Sequence, residues 1–442
     1  MRPGAKITAA IEILSDFENR RVPLKTAISD WGRSNRYAGA KDRAYLSGLC
    51  LDALRWKNSL GAKMSDGAPR ALVLGTLRFV WRYPIETIAA SAEEEPYGPG
   101  ALTPAESDAL AEASSLGGDD NTQILCDYPD WLEAPIQRVF GDSTGAEMAA
   151  FSARADIDLR INTLKSTPEK TLAALKTVKG VAGPFLQTAA RIPAPDPAEK
   201  APPVTVIPAY NKGWVEVQDI GSQLAAHAAG NIEGLQIMDF CAGGGGKTLA
   251  LSAMMKNTGQ LYAYDRDARR LAPLYHRAKR AGIRNLQVVH PDPEKDPLAE
   301  LKEKMDVVFV DAPCTGLGTW RRRPDTKWRL TERQLETRLK EQDNVLRSAA
   351  PMVKPGGKMI WVTCSFLMEE NEDRLSDFLS ATPGFEFAPV LDAISGGEGL
   401  HEDALERLKE CETPDGALRI TPRRTSTDGF YVAVLRRAGE GA

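Results

Sequence analysis

Two thiols and one acid are the residues here whose types and spacing could do chemistry. Asp306-Val-Val-Phe-Val-Asp311-Ala-Pro313-Cys314-Thr-Gly-Leu-Gly318 sets four apolar residues between two acids, which reads as a buried parallel strand that Ala-Pro ends abruptly. Its carboxyl end delivers Asp311, Pro313 and Cys314 to the place where open α/β sheets put their ligand crevice. Further on, Lys358-Met-Ile-Trp-Val-Thr363-Cys364-Ser365 is a second apolar strand that finishes on a cysteine. Adjacent strands would bring both thiols to one crevice, where a thiolate is a nucleophile. The alternative is two small apolar fillers, the ordinary condition of free cysteines. Position favours chemistry, since each cysteine sits just past its last apolar strand residue, beside Pro-x-x-Gly or between Thr and Ser.

The elements that must hold these residues follow from the pattern after Leu235. Apolar strands over 237–240, 261–264, 286–289, 307–310, 359–362 and 429–435 alternate with helical stretches near 247–256, 267–282, 331–353 and 369–380. That alternation predicts a doubly wound, Rossmann-like α/β sheet. After its first strand comes Cys241-Ala-Gly-Gly-Gly-Gly-Lys247-Thr248. Position 241 is not the Gly that a phosphate-binding loop needs, and Thr248 stands where G-x-G-x-x-G needs its third Gly. Four glycines at a strand-to-helix turn still let a ligand approach the backbone closely. Asp265 closes the second strand about twenty residues on, where an acid accepts hydrogen bonds from ribose hydroxyls, or else is an exposed turn residue. Asp292 follows the third strand in Val288-Val-His-Pro-Asp, and Lys247 opens the first helix.

At 442 residues the chain exceeds one ordinary core. With 43% hydrophobic and 26% charged residues, no run of eighteen apolar residues and no charged-then-apolar leader, it reads as a soluble cytoplasmic protein. Six cysteines without a C-x-x-C pair, and four histidines, point away from a metal site or a disulfide framework. The net charge of −4 hides an asymmetry. Residues 1–82 hold fifteen Lys/Arg against seven Asp/Glu, whereas residues 83–133 hold twelve acids and no base. This predicts a basic face for an anionic partner and a separate acidic, loop-rich connection, the alternative being a solvated helix surface. Three parts are expected: a helical module over 1–145, a small α+β segment over 146–230 with strands at 159–164, 204–207 and 213–217, and the alternating domain over 231–442. The five prolines of 193–203 exclude regular structure there.

The stretches DAPCTGLG, WRRRPDTKWR and VTCSFLMEENED, with Asp239-Phe-Cys-Ala-Gly-Gly-Gly-Gly-Lys-Thr248, Val217 to Gln223, Leu159 to Lys165 and Asp428-Gly-Phe-Tyr431, resemble the motifs of the Sun/Nop family of RNA cytosine-5 methyltransferases. The resemblance spans roughly residues 125–436 and is looser before that. It implies a Rossmann-like methyltransferase sheet, a NusB-like amino-terminal helical domain that associates with RNA, and S-adenosyl-L-methionine as cofactor. It implies Cys364 as the nucleophile toward cytosine C6, Cys314 as the residue of product release, and Asp311 and Lys247 as further catalytic residues. Cys241, Ala242, Gly243, Gly244, Gly245, Gly246, Lys247, Asp265, Arg270, Asp292 and Asp311 would bind the cofactor. Arg321, Arg322, Arg323 and Lys327, with Trp320 and Trp328, suit phosphate contacts and base stacking on unpaired RNA. The implied partner is RNA, ribosomal in the first instance, met by a monomer without metal or membrane. Two departures stand out: Gly243-Gly244 replaces the family's usual Ala-Pro, and Thr315 its commoner Ser. A transfer-RNA enzyme and a non-catalytic RNA-binding assembly factor are the rivals, and retention of both cysteines argues against the second. An amino-nitrogen methyltransferase would need Asp/Asn-Pro-Pro-aromatic at a strand end, where this chain has Asp-Ala-Pro-Cys.

Overall fold

Strands that are apolar at every position must be covered on both faces, and β8 (Met305–Asp311) shows how this chain achieves it. Val307 and Phe309 pack with Ile360 and Val362 on one face, and Val308 and Val310 pack with Met359 and Trp361 on the other. Each such side chain withdrawn from water contributes about 1.5–3 kcal/mol, so the strands that carry the candidate residues are among the most firmly held. The computed structural model describes residues 1–112, 116, 127–196, 203–292 and 294–439. The chain divides into two units, Met1–Arg154 with Ala194–Ala201 and Trp320–Thr331, and Ala155–Pro193 with Pro202–Thr319 and Glu332–Ala442.

The first unit is helical, as its periodicity predicts: Pro3–Arg20, Leu24–Ser34, Ala40–Arg55, Lys57–Met64 and Pro69–Gly75 bury Ile7, Ile13, Leu14, Leu46, Leu49 and Leu72 together. Its charge asymmetry is partly neutralised internally. Glu94 of the acidic stretch meets Arg2 and the Gly4 amide, and Glu106 takes Arg70 at 2.7 Å. That stretch is also less loop-like than expected. Thr103 and Glu106 form a capping box, Thr103 Oγ1 accepting the Glu106 amide at 3.2 Å, and a helix runs over Pro104–Ala111. The Gly117-Gly-Asp-Asp of the expected connection lies outside the described residues. Among the described residues no helix is long and apolar enough to cross a membrane.

Residues 320–331 belong to this helical unit. Lys327 is 1% exposed, donates to the Arg55 carbonyl at 3.0 Å and lies over the Trp320 and Trp328 rings, while Trp328 Nε1 donates to the Leu54 carbonyl at 2.6 Å. Burial pulls the Lys327 ammonium down to about 7 and pushes the neighbouring Asp127 carboxyl up, so desolvation outweighs their mutual attraction. A base whose folded pKa lies below its unfolded value of about 10.4 is penalised where it must stay charged. The stability of this unit should therefore rise with pH between about 7 and 10. Replacing Lys327 by Met is expected to remove that slope in denaturation curves taken across the window.

The second unit holds two sheets. The small one orders β2 (Val181–Ala182), β3 (Ala189–Ile192), β1 (Ile157–Ile161) and β4 (Val215–Val217), all antiparallel. The helix expected after Thr167 is Pro168–Leu175, with Thr167 as its cap. The strand expected at 204–207 is instead a 3-10 turn, Val204–Val206, followed by the short helix Pro208–Asn211. Pro203 and Pro208 bracket that segment and remove the amides a ladder would use. The large sheet orders β10 (Phe385–Ala388), β12 (Phe430–Arg437), β9 (Val353–Thr363), β8, β5 (Gln236–Asp239), β6 (Gln260–Tyr264) and β7 (Leu286–Val289), with β11 (Leu418–Ile420) also paired to β12. From β9 to β7 all neighbours are parallel, and β12 enters antiparallel beside β9. The order reverses between β5 and β8, which places the ligand crevice at their carboxyl ends.

Candidate active site

The crevice collects the strand ends in register. Asp311 pairs with Val362 across β8 and β9, and the Ala312 amide donates to the Val362 carbonyl at 2.8 Å, so both chains turn outward together. The thiols follow those turns. Cys314 Sγ and Cys364 Sγ lie 3.3 Å apart, half-buried. Their contact, with burial and the nearby Glu370 and Asp311 acids, pushes the Cys314 thiol well above its ordinary range, so Cys314 keeps its proton. The other free cysteines divide as a filler reading would have it elsewhere: Cys50 and Cys411 are buried in apolar cores. Cys126 lies outside the described residues.

Beside the thiols, Lys247 Nζ meets Asp311 Oδ2 at 2.7 Å. Lys247 is 7% exposed, and its ammonium also faces the Phe430 ring, which pins it in the crevice and away from water. Phe430 and Tyr431 are themselves core residues of β12. The Gly-rich turn explains how Lys247 arrives there. At Gly245, φ is +83° and a Cβ would sit 2.2 Å from a Leu274 methyl, so no other residue fits the turn. A Cβ on Gly246 would meet nothing within 4 Å, which leaves the helix start at Gly246 open to a ligand.

Asp265 directly follows β6 and is buried; it accepts the Gly243 amide at 3.0 Å and pairs with Arg270 at 3.1 Å. It is therefore a loop-holding acid, with Oδ1 turned to the Asp267 amide. Cys241 and Ala242 contribute backbone at the loop's start, and burial holds the Cys241 thiol protonated. Asp239, at the end of β5, accepts from Thr248 Oγ1 at 2.6 Å through one oxygen, while the other is buried without a partner among the described residues. Burial pushes its carboxyl up to about 7. Asp292 is exposed past β7, with Oδ1 on the Glu294 amide, and makes no contact with the other candidates among the described residues. A cavity of about 560 Å³ lined by Arg160, Gln223, His227 and Met254 contains none of these residues.

The geometry brings Cys314, Cys364, Asp311, Lys247 and the glycine loop together. Within the helical unit, Arg321 and Lys327 of the basic stretch are buried, Arg322 is half-buried, and only Arg323 of the four is exposed. Phosphate contacts by all four basic residues and stacking by the flanking tryptophans were expected, but the tryptophans carry Arg321 and Lys327 into a core. Sequence reasoning also passed over Glu370 and Asn371, each 0% exposed, which bond to the segments around the two cysteines. Their signal was two polar residues immediately before a helix, which reads as an ordinary cap.

Residues 229–436 match the family "16S rRNA methyltransferase RsmB/F". The protein of Synechocystis sp. described as "Probable ribosomal RNA small subunit methyltransferase B" is 30% identical over 315 residues, covering 70% of this chain and 67% of the relative. The chain belongs to this family. "Ribosomal RNA small subunit methyltransferase B" of Klebsiella pneumoniae is 29% identical over 415 residues, 89% of this chain and 92% of the relative. A methyltransferase homolog from Pyrococcus horikoshii shares the fold, with 24% identity, 70% of this chain and 95% of that one covered, and a TM-score of 0.55. As an RsmB/F member the chain is an S-adenosylmethionine-dependent RNA methyltransferase. The crevice suits that cofactor: open space at Gly246 and an orphaned acceptor on Asp239 are features a nucleoside with an ammonium group would use.

Asp265→Ala should weaken S-adenosylmethionine binding by about 1–3 kcal/mol, because it removes the partner of the Gly243 amide that holds the glycine loop. Titration calorimetry giving wild-type affinity would contradict this role of the loop in cofactor binding.

Proposed function

We propose that the protein methylates C5 of a cytosine in small-subunit ribosomal RNA, in the cytoplasm, through a covalent adduct with Cys364. The observation that carries this reading is the pair of thiols 3.3 Å apart at the ends of adjacent parallel strands, with Asp311 and Lys247 beside them. C5 of cytosine is a poor nucleophile, so the ring must first gain electron density. The Cys364 thiolate adds to C6, forming an Sγ–C6 bond and shifting the C5–C6 π electrons toward C5. Asp311, held by Lys247, faces the N3/N4 edge of the flipped base and stabilises the activated ring. S-adenosylmethionine, held by the 241–247 loop, Asp265 and Arg270, supplies an electrophilic methyl group. The C5 proton then passes to water, the C5–H electron pair becomes the C5–C6 π bond, and the Sγ–C6 pair departs with Cys364 as thiolate. Cys314 is the group placed to assist that release. The amino-terminal helical unit is the RNA-associated module of this reading.

The test is direct: RNA from a strain lacking the protein, compared with the parent by bisulfite sequencing, should lose one protected cytosine in small-subunit ribosomal RNA. Unchanged ribosomal RNA with a lost site in transfer RNA would move the substrate, and no lost site at all would leave a binding factor.

Exposed Arg323 is the basic residue of 321–327 assigned to RNA phosphate. Arg323→Ala should lower the slope of log affinity against log salt by about one. Lys327→Met should leave that slope unchanged, filter binding over a salt series being the measurement.

A further inference from the structure

We propose that Glu370 and Asn371 form a two-sided clamp that sets the distance between the thiols, Glu370 positioning Cys314 and Asn371 positioning Cys364. The inference rests on the covalent reading above. The two residues stand at the junction of a 3-10 turn, Met368–Glu370, and a helix, Glu372–Ala381, both fully buried. From there Glu370 bonds the Cys314 segment through Thr315 and also takes the Ser365 hydroxyl beside Cys364, whereas Asn371 bonds the Cys364 segment. Glu370 Oε1 accepts the Thr315 amide at 2.8 Å and Gln342 Nε2 at 3.3 Å, and Oε2 accepts the Thr315 hydroxyl. Gln342 Nε2 also donates to the Pro313 carbonyl at 2.9 Å, so the residues on both sides of Cys314 are tied to one carboxylate. Asn371 Oδ1 accepts the Thr363 hydroxyl at 2.6 Å, while Nδ2 donates to the Ser365 carbonyl at 3.1 Å and the Leu367 carbonyl at 2.7 Å. That holds the residues on both sides of Cys364.

Adjacent residues on one rigid junction therefore fix two loops that chain connectivity separates by fifty residues. Neither side chain reaches the crevice, so neither is a catalytic residue. Their work is positional, and position is costly to lose: a displacement of about 1 Å can lower a rate about a hundredfold. The two hands bear mainly on different steps, which makes the clamp testable. Glu370 holds the segment of release on both sides of Cys314 and touches the segment of attack through Ser365 alone, while Asn371 holds the segment of attack on both sides of Cys364. Thr315 in place of Ser keeps the hydroxyl that Glu370 needs.

The experiment compares variants of the full chain with S-adenosylmethionine and small-subunit ribosomal RNA, reading turnover, cofactor affinity, thermal midpoint and the protein–RNA adduct on denaturing gels. Glu370→Ala should lower turnover about a hundredfold and accumulate adduct, as Cys314→Ala does, with cofactor affinity unchanged. Glu370→Gln should recover turnover to within about tenfold of wild type, since its carbonyl still accepts the Thr315 amide and its amide can donate to the Thr315 hydroxyl. Asn371→Ala, introduced into the Cys314→Ala background, should slow adduct formation about a hundredfold. Overturning results are a Glu370→Ala variant that neither slows nor traps adduct, or Glu370→Ala and Asn371→Ala variants that lose adduct formation and cofactor affinity in parallel, which describes mere collapse of the fold. If Cys314→Ala itself traps no adduct, the covalent reading fails and the clamp with it. Adduct in Cys314→Ala but not in Glu370→Ala sinks the clamp alone.

Discussion

Cys364→Ala abolishes methyl transfer to RNA while S-adenosylmethionine still binds at wild-type affinity: this is the largest effect the site predicts. The residues proposed to hold the cofactor lie on the 241–247 loop and at Asp265, just past β5 and β6, whereas Cys364 lies just past β9. Removing its sulfur takes away the bond to C6 and touches nothing that holds the nucleoside. Loss of a nucleophile that acts as a unit with its neighbours costs several orders of magnitude, on the order of 10⁴-fold or more. Cys314→Ala is expected to differ in kind. Addition and methylation proceed, elimination stalls, and a protein–RNA adduct survives denaturing electrophoresis. Full activity in Cys364→Ala, or adduct accumulating in Cys364→Ala in place of Cys314→Ala, would reverse or remove the assignment of the two thiols. Equal inertness of both variants with lost cofactor binding would mean that the crevice had been damaged.

The second large effect is on stability, and it belongs to the helical unit. Asp52 is 1% exposed and accepts from Arg55 Nε at 3.2 Å, from Arg154 Nε at 3.1 Å and from Trp81 Nε1 at 2.9 Å. Arg55 is 5% exposed, and its guanidinium spends its other donors on the Ala153 and Arg321 carbonyls at 3.1 and 2.9 Å. Burial lowers the Arg55 pKa, although Asp52 opposes the shift. Asp52→Ala would therefore leave a buried guanidinium without its counter-charge and an indole N–H without an acceptor. Breaking a buried pair from one side costs about 3–5 kcal/mol. Calorimetry of the full chain should show the transition of the helical unit lowered accordingly, with S-adenosylmethionine still protecting the other unit. A shift below about 1 kcal/mol, the usual value of an exposed pair, would mean that water reaches this cluster.

Which parts of this architecture were legible beforehand follows from where the constraint is local. The central strands β8 and β9 were, because a strand covered on both faces must be apolar along its covered run, and runs such as Val307–Val310 leave no other reading. The short strands β3, β10 and β11, three or four residues each, were not, because so few residues carry no measurable period. The strand expected at 204–207 failed for a related reason: its valines have the β propensity, but the flanking prolines withhold the ladder's amides.

For the site, residue types and strand ends determined the thiols, Asp311, the glycine turn and Asp265, because a parallel sheet presents its carboxyl ends to one crevice whatever the connecting chain does. Distances were beyond that logic. That Cys314 and Cys364 come to 3.3 Å depends on Glu370 and Asn371 reaching from one junction to two separate loops. That Lys327 is buried depends on helices drawn from the first fifty-five residues, roughly 270 positions away in the chain. Charge and local period say which side chains prefer water, but only packing between distant segments decides which of them are given it, since the desolvation of one lysine is outweighed by the apolar area buried with its neighbours.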